Sequence, residues 1–352
     1  LQILLKAQKR TQRKQGRLSR IRSALQDNRG QAGPPQDIES ALVDPAMPSQ
    51  ASDVMQYEEW NCEKGIAKQK ATRVSIHPAP KGDLDRYMEV KRSHMGPISD
   101  LSRQLNRLFP EERWIHRQQD GSDLDIDRAI QASLDLRAGH TPRRDWHMNF
   151  VRQRDPISVL VMMDLSSSTQ GRVMHHQQGA LVVLMESLHQ VDHAQGFPHA
   201  LVGFQSFGAQ DCRLTHLKGW DETLNDSVRA RFGDLRSEGA TRLGAFVRHG
   251  AWMLTEKTHG PRLLLLLSDG MPRDLRGHES DYQGRLAEQD TAIAVRQARA
   301  TGVHVTCVSL APQQDQTANL GRVFGENNCL QIDRLEALPH RLGALFAQLV
   351  GT

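Results

Sequence analysis

From Asp155 onward the sequence alternates between short apolar runs and longer amphipathic stretches. The runs are Ile157–Asp164, Ala200–Phe207, Arg262–Ser268, Val303–Leu310 and Cys329–Ile332. Helical patterns lie between and after them, at about Val173–Val191, Arg242–Lys257, Glu288–Thr301, Thr317–Phe324 and Leu335–Val350. Several runs are continuously apolar; "RLLLLLS" at Arg262–Ser268 is the clearest. A strand with one wet face would alternate, so these are strands covered by helices on both faces, as in a parallel sheet. The expectation is an α/β domain over 155–352, a doubly wound, mostly parallel sheet. Arg213–Trp220 is expected as a short edge strand.

Upstream the texture differs. Residues 1–28 read as a basic amphipathic helix. Lys6, Lys9, Arg10, Arg13, Lys14, Arg17, Arg20 and Arg22 occur with no acidic residue before position 23, and Leu18, Ile21 and Leu25 recur at helical spacing. The chain has no initiator methionine and opens in helical character, so this helix is expected to be a fragment of a missing N-terminal part. Residues 29–55, with Gly30, Gly33, Pro34, Pro35, Pro45 and Pro48, read as a linker. Residues 56–154 read as a mixed, mainly helical extension packing on the α/β domain. It holds an extended Ala71–Pro78, a helix over Leu84–Leu108 stopped by Pro110, and an acidic stretch from Asp120 to Asp127. That stretch is not a calcium loop. Counted from Asp123, the sixth and twelfth places hold Arg128 and Leu134 where an EF-hand needs glycine and glutamate. Carboxylates there suit the positive end of a helix instead.

Composition narrows the function. Of 352 residues 38% are hydrophobic, enough for a packed core, and the net charge of +4 is too balanced for a general nucleic-acid binder. Cys62, Cys212, Cys307 and Cys329 form no CxxC pair, which points to a reducing, cytoplasmic setting. The longest aliphatic run, Leu263–Leu267, falls far short of the roughly 20 residues of a membrane span.

In an open α/β sheet, ligands bind outside the carboxyl ends of the strands, where the strand order reverses. Two runs end in oxygen-bearing side chains. The first ends in "DLSSSTQG", giving Asp164, Ser166 and Ser168; the second ends in Ser268, Asp269 and Gly270. Between them "SEGATRLGAF" supplies Thr241 ahead of a helix. A serine nucleophile on a strand-to-helix elbow would want GxSxG, and no glycine flanks these serines. There is no GxxxxGK[ST] phosphate loop, so the sequence encodes no ATPase of that type. His189 and His193 have the spacing of a zincin helix, but Gln190, Val191 and Asp192 between them do not complete HExxH. A hard divalent cation fits best. Mg2+ takes oxygen ligands, hydroxyl, carboxylate and water together. A site rich in neutral hydroxyls leaves the ion electrophilic and receptive to a carboxylate from a partner, which is recognition rather than turnover. A metal-dependent hydrolase would need a general base as well, for which Asp274 and Asp281 are the candidates.

Asp164-x-Ser166-x-Ser168, Thr241 and Asp269 resemble the DxSxS…T…D pattern of the metal-ion-dependent adhesion site of von Willebrand factor A (VWA) domains. The resemblance implies that these five residues hold Mg2+, with Mn2+ or Ca2+ as alternatives, and that the sheet runs 3-2-1-4-5-6 with one antiparallel edge strand. Arg242 and Arg273 are expected to frame the site and steer an acidic client. Ser167 is expected to point away and to be structural. Beyond the motif, "RLLLLLSDGMPRD", "ATRLGAFVRHGAWML" and the upstream "YEEWN" are similar to the CbbO/NorD group, from about Gln56 to the C-terminus. Such proteins are non-catalytic adaptors of a hexameric MoxR-type AAA+ ATPase, CbbQ or NorQ. The reading favoured from the sequence is CbbO, which grips the rubisco large subunit while the ATPase frees inhibitory sugar phosphates. The alternative is NorD, linked to maturation of nitric oxide reductase.

Overall fold

A computed structural model describes residues 54–109, 113–151, 157–195, 197–269, 272–275, 282–310 and 320–351. The basic helix expected over 1–28 and all but the end of the linker lie outside them. Residues 52–352 form one compact unit.

The central sheet has eight strands. In chain order they are β1 (Val54–Asn61), β2 (Ile66–Pro78), β6 (Ser158–Asp164), β7 (His199–Ser206), β8 (Cys212–Lys218), β9 (Arg262–Leu267), β10 (Val303–Leu310) and β11 (Cys329–Ile332). In space they run β1-β2-β8-β7-β6-β9-β10-β11. From β8 to β11 this is the expected order 3-2-1-4-5-6. β7, β6, β9, β10 and β11 are parallel, and β8 is antiparallel to β7. The alternating side chains explain why both faces had to be apolar. Val159, Val161, Met163, Leu263, Leu265 and Leu267 face one layer; Leu160, Met162, Leu264 and Leu266 face the other.

The first layer is built from α4 (Arg172–Gln195) and α8 (Leu338–Gly351), with α1 (Leu84–Ser93) and α2 (Met95–Leu108) from the extension. The second is α6 (Leu243–Lys257) and α7 (Gly284–Ala300). A short α5 (Asp226–Ala230) follows β8. A separate small sheet, β3 (Arg113–Gln118), β5 (His147–Val151) and β4 (Asp123–Leu124), accompanies α3 (Ile126–Arg137). Asp125 caps α3 by accepting from the Arg128 amide, so the acidic stretch does start a helix.

Two expectations are corrected. The strand expected at Arg213–Trp220 is not an edge: β2 pairs in parallel with its outer side, from Val74 opposite Cys212 to Pro78 opposite His216. The extension therefore contributes strands to the sheet as well as helices to its face. The helix expected over Leu84–Leu108 breaks at His94 into α1 and α2. Pro97 lies in the first turn of α2, where its ring and missing N–H prevent a continuous helix from running through. The four cysteines are free thiols.

Candidate metal centre

The strand order reverses between β6 and β9, so the crevice at their carboxyl ends is the switch point. Met163 lies level with Leu267 in the parallel register, which brings the next residues, Asp164 and Ser268, side by side. Ser268 Oγ donates to Asp164 Oδ2 at 2.6 Å. The Ser166 amide and Thr241 Oγ1 donate to Asp164 Oδ1 at 2.9 and 3.2 Å. Ser166 Oγ and Ser168 Oγ are 2.9 Å apart. Asp269 follows Ser268 directly, and its charge acts on Asp164.

Asp164 is fully buried. Burial first, then the Asp269 charge, push its carboxyl above the usual carboxylate range, opposed by hydrogen bonds from Ser166 and Ser268. Two carboxylates so placed repel each other when ionised, and a cation between them would relieve the repulsion. Among the described residues no group of three or more His, Cys, Asp and Glu is arranged to hold a metal. What converges here is a different donor set, two carboxylates and three hydroxyls, all oxygen, which fits a hard divalent cation. Asp164, Ser166, Ser168, Thr241 and Asp269 would hold it.

The loop carrying the serines is stitched to the loop before Thr241. Ser167, whose hydroxyl was expected to be structural, donates from Oγ to the Gly239 carbonyl at 2.7 Å. Gln170 Nε2 donates to the Ser237 carbonyl, and Thr169 and Ser237 hydroxyls are 2.9 Å apart. Gly239 has φ +74°, and a Cβ there would sit 2.7 Å from the Ser206 carbonyl oxygen. Only glycine meets both demands at that turn.

Arg242 is not a client-steering side chain. It is buried, with Nε 3.0 Å from Asp274 Oδ2, Nη1 2.5 Å from Glu59 Oε2, and its guanidinium 4.9 Å from the Tyr282 ring centre. Burial alone would lower its pKa, but the charges of Glu59 and Asp274 outweigh that and hold it above the usual value. Glu59 feels the opposite balance, burial raising its carboxyl and Arg242 opposing. A guanidinium stays protonated at any ordinary pH, so the charged pair is the state that the 2.5 Å contact supports. Arg273 is exposed, and its carbonyl accepts from the Thr241 amide at 2.9 Å.

Asp274 is not placed as a general base. It is fully buried and accepts from Ser206 Oγ, the Gly208 amide and Arg242. Asp281 lies outside the described residues. The roles of Glu59 and Asp274 escaped sequence reasoning, since neither acid carries a signal for Arg242, which lies 183 and 32 positions away from them.

No family model matches the chain. The chain is similar to proteins named NorD, with 28% identity over 323 residues to that of Brucella suis, covering 90% of this chain and 48% of the relative. NorD of Stutzerimonas stutzeri is 28% identical over 272 residues, 76% of this chain and 43% of the relative. An uncharacterised protein of Pseudomonas aeruginosa is 31% identical over 277 residues, 77% of this chain and 43% of the relative. The chain thus spans about half the length of the curated relatives it matches. Among solved structures, the vWF domain of the pilus tip protein Mfa5 from Porphyromonas gingivalis aligns with TM-score 0.40 and 11% identity, covering 56% of this chain and 94% of that one. The PilB minor pilin of Streptococcus sanguinis aligns with TM-score 0.42 and 16% identity, over 57% of this chain and 62% of that one. Over most of its length, then, this chain resembles NorD-named proteins, and it folds as a doubly wound α/β domain with an integrated extension.

Proposed function

We propose that this chain is the client-gripping part of a non-catalytic adaptor that works with a MoxR-type AAA+ ATPase. Its Mg2+ site would capture an acidic residue of the client. The observation that carries the reading is the meeting of Asp164, Ser166, Ser168, Thr241 and Asp269 at the switch point of a NorD-like chain. When bound, the metal supplies an electrophilic position for a foreign carboxylate. The chain's own residues hold the cation and keep the cup rigid through the stitched loops. The name NorD among the relatives supports a client in nitric oxide reductase maturation. The rubisco large subunit, with a CbbQ-like ATPase, is the second reading and rests on the sequence resemblance. No helix among the described residues is long and apolar enough to cross a membrane.

The test is a pull-down with each client, with and without EDTA. Capture in Mg2+, lost with EDTA and lost in Ser166→Ala, is expected. The same variant should remain folded and should lose the thermal shift that Mg2+ gives the parent chain, since a ligand that binds only the native state stabilises it. Capture of either client unaffected by EDTA and by Ser166→Ala refutes the reading.

A further inference from the structure

We infer that Glu59, in the first strand of the extension, is a positioning residue for the metal centre, acting through Arg242 on Thr241. The inference rests on the metal-site reading above.

Thr241 and Arg242 are consecutive. Upstream, the Ala240 amide and carbonyl pair with Ser206 at 2.8 and 2.7 Å. Thr241 itself is held by its amide to the Arg273 carbonyl, and downstream α6 begins at Leu243. What fixes the joint between these anchors is the Arg242 side chain. It is tied on one side to Asp274, which is bound in turn by Ser206 and Gly208, and on the other to Glu59. Two of the loops that form the cup, that of Thr241 and that following Asp269, therefore share one buried guanidinium. Glu59 closes that arrangement from outside the α/β domain.

The strand is shaped for this contact. Tyr57 pairs with Thr72 but Glu59 pairs with Lys68, so one residue of β1 faces three of β2 across a bulge, with Lys70 at φ 52°. Bulges re-aim side chains beside functional sites. β1 is also fastened at points that do not involve Arg242. Tyr57 Oη lies 3.0 Å from His249 Nδ1, and the Trp60 amide donates to Asp290 Oδ1 at 2.8 Å. These contacts allow the two roles of β1, docking and positioning, to be separated by substitution.

The experiment is Mn2+ binding to the full chain, followed by the electron paramagnetic resonance of free Mn2+, alongside thermal unfolding without metal. Glu59→Gln keeps the size of the side chain and removes its charge. It is expected to weaken Mn2+ binding by about 10- to 100-fold, the usual cost of losing a group that orients metal ligands. Tyr57→Phe, which loosens β1 without touching Arg242, should bind Mn2+ as the parent does even where its unfolding temperature falls as far. Glu59→Asp should recover part of the affinity. Should Glu59→Gln not fold, Arg242→Lys, which keeps the charge but loses the fork, is read in its place with the same expectation. Parent-like Mn2+ affinity in a folded Glu59→Gln or Arg242→Lys chain overturns the inference and leaves the metal site standing. A parent chain that binds no Mn2+ or Mg2+ overturns both.

Discussion

His249 offers a direct measure of how firmly β1 is seated on α6. The ring is fully buried, edge-on to Tyr57 with centres 5.7 Å apart and beside Trp252 at 5.3 Å. Tyr57 Oη and His249 Nδ1 share a hydrogen bond at 3.0 Å, and no acid faces the ring to favour its charged form. Burial alone lowers its pKa from 6.5 to about 4. A depressed folded pKa means that the unfolded chain takes up the proton first as the pH falls. Stability from this residue is therefore full above about pH 6.5 and is lost progressively down to about pH 4. At about 1.36 kcal/mol per pH unit, the interval corresponds to about 3 kcal/mol. His249→Phe keeps a buried ring and removes the titration. At pH 8 the variant should be slightly less stable, by about 1 kcal/mol for the lost hydrogen bond. Urea denaturation at intervals from pH 8 to pH 4 should then show the parent losing about 3 kcal/mol more than the variant. Parallel pH profiles for the two chains would refute the reasoning.

Two further substitutions probe how the extension and α6 are packed. Glu186 is buried and receives Tyr87 Oη at 2.7 Å, Lys91 Nζ at 2.8 Å and Arg229 Nε at 2.8 Å; Glu186→Ala strands those partners and should cost about 3–5 kcal/mol in chemical denaturation. A Cβ at Gly250 would lie 2.7 Å from Met162 Sδ and 2.9 Å from a Leu264 methyl; Gly250→Ala should lower the unfolding temperature, overpacking of about 1–3 kcal/mol outweighing the gain in helix propensity of about 1 kcal/mol.

The α/β half was legible because its signals are local. Continuous apolar runs can only be strands covered on both faces, and the oxygen-bearing residues fall within a few positions of their ends. The parallel register then places Asp164 beside Ser268 without further information. The break at His94 was also written locally, in Pro97, but the apolar spacing of Ile98, Leu101 and Leu105 hid it. What could not be read was long-range. That β8 is covered depends on pairing with β2 from far upstream, and both expected edges and true interior strands show half-buried alternation. Arg242 beside Thr241 looked like a surface cation because its two partners, Glu59 and Asp274, have no sequence relation to it.

The pairing of β2 with β8 has a bearing on how this protein can be divided. A fragment beginning at Ile157 would carry every residue of the metal cup and would look complete by motif. It would also strip the outer side of β8 from Cys212 to His216, leaving a row of unsatisfied amides and carbonyls along a strand that holds the buried side chains Cys212 and Leu214. Such an edge is a template for pairing with another copy. The hairpin of β1 and β2 thus covers the outer side of β8, and a cut made at the motif boundary uncovers it.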